Sequence, residues 1–255
     1  MLLLLQPQAL AAIISAVVAR VSKKKYVTIF REGFWIKAGT GKGQGLWCAL
    51  AGYHYEPELP WLLQWLRPGD TFIDVGANIG IFSLHAARRV GVGGRVISFE
   101  PGPMVFELLA NNLHRNSLDW ATPIQAAVSD KEASLCIFGD PTVWNSLTLK
   151  EGARKGKEVR VATLDRFCEE QNIPRVDAIK IDAEGVEPQV MRGAVATIER
   201  DCPVIIFETT LAGDVNQPLA FLMERGYSFL TLKNRDGNPS PNTIAVHSSR
   251  LQRKP

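Results

Sequence analysis

The chain has 255 residues, 46% hydrophobic and 22% charged, with a net charge of +3. That size suits one full α/β domain with appendages, and the composition excludes disordered, collagen-like, coiled-coil and low-complexity chains. A three-charge excess is too small to imply a polyanionic partner, and Cys48, Cys136, Cys168 and Cys202, with no CxxC pair, suggest free thiols in a reducing cytoplasm rather than a zinc site or disulfide framework.

Met1 to Leu5 and Ala9 to Ala19 are apolar but interrupted by Gln6, Pro7 and Gln8, and no basic residue precedes them. The stretch fits neither a signal peptide nor a spanning helix of about 20 apolar residues. It reads as a helix packing on its own domain. Lys23, Lys24 and Lys25 leave a peripheral membrane contact through residues 1–25 as the second reading. Residues 26–37 read as two short strands about Glu32 and Gly33, and glycines 39, 41, 43 and 45 break up the segment that follows. Residues 1–55 are therefore taken as an N-terminal extension and 56–255 as the main domain, which opens with a helix from Glu56 to Leu66.

From Asp70 strands alternate with helices. Apolar runs predict strands at 71–75, 95–99, 123–128, 176–181 and 203–207, and helical periodicity predicts helices at 80–90, 103–115, 187–200 and 217–225. Tyr227 to Leu232, a turn at Asp236 to Pro239, and Thr243 to His247 then read as a closing hairpin. Five parallel strands followed by a terminal antiparallel hairpin is the layout of a Rossmann-like class I methyltransferase sheet, with ligands expected beyond the strand carboxyl ends.

Asp74-Val75-Gly76-Ala77-Asn78-Ile79-Gly80 falls where the first of these strands gives way to a helix. A dinucleotide would place its pyrophosphate there, where Asp74 repels it. The ammonium and sulfonium of S-adenosylmethionine are favoured by the same carboxylate. Glu100 closes the second strand, where an acid accepts hydrogen bonds from ribose hydroxyls. Ala127 and Val128, at the expected end of the third strand, would offer backbone groups to the adenine edge.

Past the fourth strand, Asp182, Glu184 and Glu187 crowd one turn before Pro188. Methyl transfer to oxygen needs an aligned hydroxyl and a base for its proton, and Asp182 or Glu184 is the expected base. Glu208, ending the fifth strand, opens on the same edge, and His54 is a second-rank base; His85 and His114 read as packing or surface residues. Asp182 and Glu208 are also the residues that would hold Mg²⁺, a route set below metal-free base catalysis.

These residues resemble the FkbM-type S-adenosylmethionine-dependent methyltransferases from about Tyr55 to Glu208. The resemblance runs through Tyr55-Glu56-Pro57, Asp74 to Gly80, Phe99-Glu100-Pro101, Asn112 with Asn116, Thr163-Leu164-Asp165 and Lys180 to Glu187, with Ala183 where the family pattern often has Val. It implies S-adenosylmethionine as donor and a hydroxyl on a sugar or natural-product scaffold as acceptor, and it adds Glu56, Val75, Ala77 and Pro101 to the cofactor set. The insertion 139–160 is expected to meet the acceptor, with Trp144 stacking on a sugar face and Asn145 and Ser146 bonding its hydroxyls. Lys150, Arg154, Lys155, Lys157 and Arg160 read as a solvated loop. The competing readings are an RNA- or protein-modifying methyltransferase and an inactive binding module. The first would show a denser basic face, so nucleic acid is not the expected partner. The second would show a damaged cofactor loop. Acceptor identity and oligomeric state are not legible.

Overall fold

Ala12, Ala16 and Ala19 turn one face of helix α1 (Pro7–Val21) inward against a two-stranded antiparallel sheet, β1 (Tyr26–Arg31) and β2 (Phe34–Gly39). The computed structural model describes residues 7–40, 44–51, 56–138, 148–150, 157–209, 216–234 and 236–253. The hairpin turns on Glu32 and Gly33, both at positive φ (52° and 81°), the tight geometry that matches strand twist. Two short helices follow, α2 (Gln44–Ala51), which the glycine-broken pattern concealed, and α3 (Glu58–Trp65).

The main unit alternates β3 (Thr71–Val75), α4 (Ile81–Val90), β4 (Arg95–Phe99), α5 (Pro103–Arg115) and β5 (Ala121–Ile124). A second sheet, not expected from the sequence, interrupts it with β6 (Ala126–Val128), β7 (Ala133–Phe138), β8 (Thr148–Lys150) and β9 (Lys157–Ala162). The chain then returns through α6 (Leu164–Glu170), β10 (Ala178–Ile181), α7 (Glu187–Arg192), α8 (Val195–Asp201), β11 (Val204–Glu208), α9 (Asn216–Met223), β12 (Tyr227–Leu230) and β13 (Asn242–His247).

The main sheet runs β5-β4-β3-β10-β11-β13-β12, with β13 antiparallel to both its neighbours. The five expected parallel strands are β5, β4, β3, β10 and β11, and the terminal hairpin inserts its second strand beside β11. Chain direction across the sheet reverses between β3 and β10, the place where such sheets open a crevice. All of β3 and β10 is buried, as strands covered on both faces must be. One apolar cluster joins α1, the N-terminal hairpin and α3 to α5; the other lies under α6 to α9.

Three expectations are corrected here. The strand expected at 123–128 divides at Gln125: β5 is the edge of the main sheet, where Pro123 is tolerated, and β6 pairs with β9 instead. The loop expected over 139–160 contains, in its described residues, β8 and the start of β9, where buried Val159 and Val161 alternate with exposed Glu158 and Arg160. The helix expected at 187–200 divides at Gly193 and Ala194, because the Asp165 carboxylate accepts the N–H groups of Ala196 and Thr197 (2.9 and 2.8 Å) and starts a new helix there.

The N-terminal hairpin is fastened by two asparagines four residues apart, Asn112 in the last turn of α5 and Asn116 capping its carboxyl end. Asn116 accepts from Trp35 N–H (2.9 Å) and donates to Trp35 C=O (2.8 Å), and Asn112 does the same to Lys37 (2.7 and 3.1 Å). Asn112 Nδ2 also donates to Ile79 C=O at 2.9 Å, so one side chain touches both the hairpin and the loop after β3. No helix among the described residues is long and apolar enough to cross a membrane.

Candidate functional site

Three strand ends are tied together at the crevice. Gly76 and Ala77 N–H both donate to Phe99 C=O (3.0 and 2.9 Å), closing β3 against β4, and Asp182 N–H donates to Val75 C=O (3.0 Å), closing it against β10. Gly76 sits at φ +74°, and a Cβ built on it would lie 1.8 Å from the Asp182 carbonyl oxygen. Only glycine fits that backbone and that gap. Asn78 N–H donates to Glu100 Oε2 (3.0 Å) and Gly102 N–H to Glu100 Oε1 (2.8 Å), so the acid that ends β4 is held from both sides. Burial pushes the Glu100 carboxyl up to about 7, against the pull of the Gly102 and Asn78 N–H groups and with the push of Asp74 and Asp182. Pro101 follows it, half-buried, at the start of α5's approach.

Lys180 is the centre of the charge arrangement, and its role escaped the sequence reading. It lies in a buried strand, 4% exposed, where an ammonium requires counter-charge. Its Nζ donates to Asp182 Oδ2 (3.1 Å), stands 4.0 Å from Asp74 Oδ1 and lies 5.1 Å from the Phe82 ring centre. Burial opposes the charge, but Asp182, Asp74 and Glu56 outweigh it and hold the ammonium above the ordinary lysine value. Asp74 is fully buried beneath the loop: Oδ2 accepts from Ser83 Oγ (2.6 Å), itself the acceptor of Ser98 Oγ (2.8 Å). The structure thus gives Asp74 a place behind the crevice, reaching it through Lys180. Burial raises its carboxyl above the usual range despite Lys180 and Ser83.

Glu56, from the segment before α3, faces Lys180 across the crevice and accepts from Asn242 Nδ2 on β13 (3.1 Å). Burial pushes it up to about 7; Lys180 pulls it down, and Asp182, Glu58 and Asp74 push it further up. The resulting cleft is lined by Cys48, Glu56, Gly76, Asn78, Lys180 and Asp182, among others. Cys48 brings α2 over the loop, where Gly45 also packs against Ile79. The sequence division at residue 55 does not anticipate this use of α2.

The acids after β10 separate by task. Glu187 Oε1 accepts from Ala183 and Gly185 N–H (2.9 and 3.1 Å) and shapes the turn. Asp182 points inward to Lys180. Glu184, two residues on, is exposed at φ +55°. Partial desolvation, then Asp182, Glu208 and Glu187, push its carboxyl up to about 7, with Lys180 opposing. Val75 is buried at the end of β3, and Ala77 and Gly80 are buried in the loop that follows. Ala127 and Val128 lie buried in the second sheet, paired with Val161 and Ala162 (β6 to β9), because the third parallel strand ends at Ile124. His54, Trp144, Asn145 and Ser146 lie outside the described residues. His85 packs edge-on against Phe34 and near Glu32, and His114 is exposed.

The donor set for Mg²⁺ does not fit. Among the described residues no three His, Cys, Asp or Glu side chains converge to hold an ion, and the Asp182 carboxylate already carries the Lys180 ammonium.

Glu56, Glu100 and Glu184 sit near 7 folded against an ordinary 4.5, so the folded chain binds more protons than the unfolded one between those values. Stability must then fall as pH rises from about 4.5 to 7. Urea unfolding of the cofactor-free chain is expected to show a lower midpoint at pH 8 than at pH 5.5 or so; a midpoint that rises over this range would contradict the crowded acids.

Residues 74–229 match the family described as Methyltransferase FkbM domain. The chain is 29% identical over 203 residues to the 31-O-demethyl-FK506 methyltransferase FkbM of Streptomyces tacrolimicus, covering 67% of this chain and 76% of that protein. It is 25% identical over 176 residues to the hexuronic acid methyltransferase AglP of Haloferax volcanii, covering 69% and 71%. With Methyltransferase sdnD of Sordaria araneosa it shares 30% over 159 residues, 49% of this chain and 61% of that protein, so it spans less than two thirds of that relative. Among solved structures, methyltransferase FkbM from Methylobacillus flagellatus KT has the same fold, with a TM-score of 0.53 at 17% identity over 80% of this chain and 54% of the other.

Proposed function

The chain belongs to the FkbM methyltransferase family, and on that premise we propose that it transfers a methyl group from S-adenosylmethionine to a hydroxyl of a sugar or natural-product acceptor. One observation supports this donor over a dinucleotide. The N–H groups of Gly76, Ala77, Asn78 and Gly80 are all engaged within the protein, leaving none of these four for a pyrophosphate. Around them stand Glu56, Asp74, Glu100 and Asp182, which suit a cationic nucleoside. Glu100 would take the ribose hydroxyls on the lone pairs left by Asn78 and Gly102. Glu56, Lys180 and Asp182 would meet the amino-acid end. Bound there, S-adenosylmethionine supplies an electrophilic methyl. The protein's own part is to align the acceptor oxygen and take its proton; we assign the proton to Glu184, exposed two residues past Asp182, where partial burial and neighbouring acids push its carboxyl up to about 7.

The acceptor class rests on relatives named for a 31-O-demethyl compound and for a hexuronic acid. A nucleic-acid acceptor is disfavoured, because Arg160 and Arg166 are spent on Glu132 and Glu170. The free cysteines support the cytoplasmic reading.

Calorimetry with S-adenosylhomocysteine tests the donor site. Glu100→Ala is expected to raise Kd roughly 5- to 150-fold, about 1–3 kcal/mol for hydroxyls and N–H groups left unpaired. Unchanged affinity in a folded Glu100→Ala would overturn the ribose assignment. Labelled-methyl transfer to a metabolite extract, with mass identification of the product, then identifies the acceptor; label appearing only in RNA or protein would overturn the small-molecule reading.

A further inference from the structure

Helix α1 is apolar on two faces. Ala12, Ala16 and Ala19 are buried against the protein, whereas Leu10, Ile14, Val17, Val18 and Val21 are 53–78% exposed. Their spacing of four, three, one and three residues puts the exposed set on one continuous stripe. An aligned row of bare aliphatic side chains is not an ordinary soluble surface. Its partner is indicated by charge. Arg20, Lys23, Lys24 and Lys25 stand exposed at the carboxyl end of the same helix. The first 31 residues contain five Lys or Arg and no Asp or Glu, while the whole chain is +3, so residues 32–255 carry a net −2. Four of those five, Arg20 and Lys23 to Lys25, stand at the end of the helix that carries the apolar stripe; the fifth, Arg31, is buried at the end of β1.

We propose that the outward face of α1, with Lys23 to Lys25, docks the enzyme on an anionic lipid bilayer. With 15 residues α1 is about 22 Å long, short of a hydrocarbon core of about 30 Å, so the helix lies in the surface and does not cross it. The aliphatic stripe enters the headgroup boundary and the lysines meet lipid phosphates. A second copy of the chain suits this face less well, because a stretch with no acid offers no partner to its own cations. Trp47, 66% exposed on α2 beside α1, is an aromatic of the kind that settles at such boundaries.

The test is co-sedimentation of the full chain with vesicles of mixed phosphatidylcholine and phosphatidylglycerol, and with phosphatidylcholine alone. Wild type is expected to bind the mixed vesicles, to leave them at high salt, and to bind the neutral ones weakly. Joint Lys23→Gln, Lys24→Gln and Lys25→Gln should lower partitioning roughly a hundredfold, about fivefold per lysine. Joint Ile14→Asp and Val18→Asp should lower it at least about tenfold. Both variants change only exposed residues, so melting and S-adenosylhomocysteine affinity should stay at wild-type values, which separates lost docking from lost folding. Equal partitioning of all three proteins would overturn the proposal. So would a lipid-free dimer, seen by sedimentation equilibrium, that Ile14→Asp with Val18→Asp splits.

Discussion

Gly76→Ala is expected to abolish measurable binding of S-adenosylhomocysteine and to lower the melting temperature sharply. The added methyl would meet a backbone oxygen at 1.8 Å, at a φ of +74° that an L residue rarely adopts. Neither side can retreat. The Asp182 carbonyl is pinned because its own N–H bonds to Val75 and β10 is paired with β3 through Ile181 and Val75, while Gly76 N–H is committed to Phe99. Relief requires β3 and β10 to part at the crevice, a loss of at least about 3 kcal/mol, combining strain with broken strand-end bonds. Gly39→Ala is the control, since nothing lies within 4 Å of its Cβ position. Thermal unfolding and calorimetry on both variants decide it; a Gly76→Ala protein with wild-type melting and binding would show that the crevice is softer than its hydrogen bonds imply.

Turnover in Glu184→Gln is expected to fall by about 10²- to 10⁴-fold, the usual contribution of general-base assistance. A base works deprotonated, so wild-type rate should climb with pH through about 7, where Glu184 loses its proton, and level off above. That limb should vanish in the variant while cofactor affinity holds. Asp182→Asn should behave otherwise: it weakens the partner of the buried Lys180 ammonium, so its cost falls on stability and cofactor affinity. Glu184→Gln with full turnover and an intact limb would remove Glu184 as the base and return the role to Asp182 or His54.

The contrast between these two acids shows where sequence reading reaches. Asp182 and Glu184 stand in the same motif and look equivalent in one dimension. What separates them is Lys180, buried on β10, which holds the Asp182 carboxylate, while Glu184 is exposed on a left-handed backbone. Strands at 71–75 and 95–99 and the helix at 103–115 were legible to the residue, because local apolar runs and Pro103 at a helix start mark their ends. The break at Gly193 was not, since the group that caps the new helix is Asp165, some thirty residues upstream. The second sheet was hidden for a similar reason: Lys157, Glu158 and Arg160 gave β9 the look of a basic loop, although Val159 and Val161 alternate with them and are buried.

The asparagine pair at the end of α5 bears on how the molecule behaves in a crowd. A two-stranded ribbon has two free margins, and a margin of unsatisfied N–H and C=O groups is a template on which another molecule can lay a strand. Sheets usually guard such margins with charge, proline or a bulge. Here a helix supplies two amide side chains whose carbonyl and NH₂ groups occupy the outer positions of Trp35 and Lys37 as a neighbouring strand would. Unlike a strand, the pair presents no further margin for another chain to extend. Protection from strand-by-strand aggregation on that side is therefore carried by a helix outside the ribbon, and it would be lost wherever α5 and the hairpin were separated.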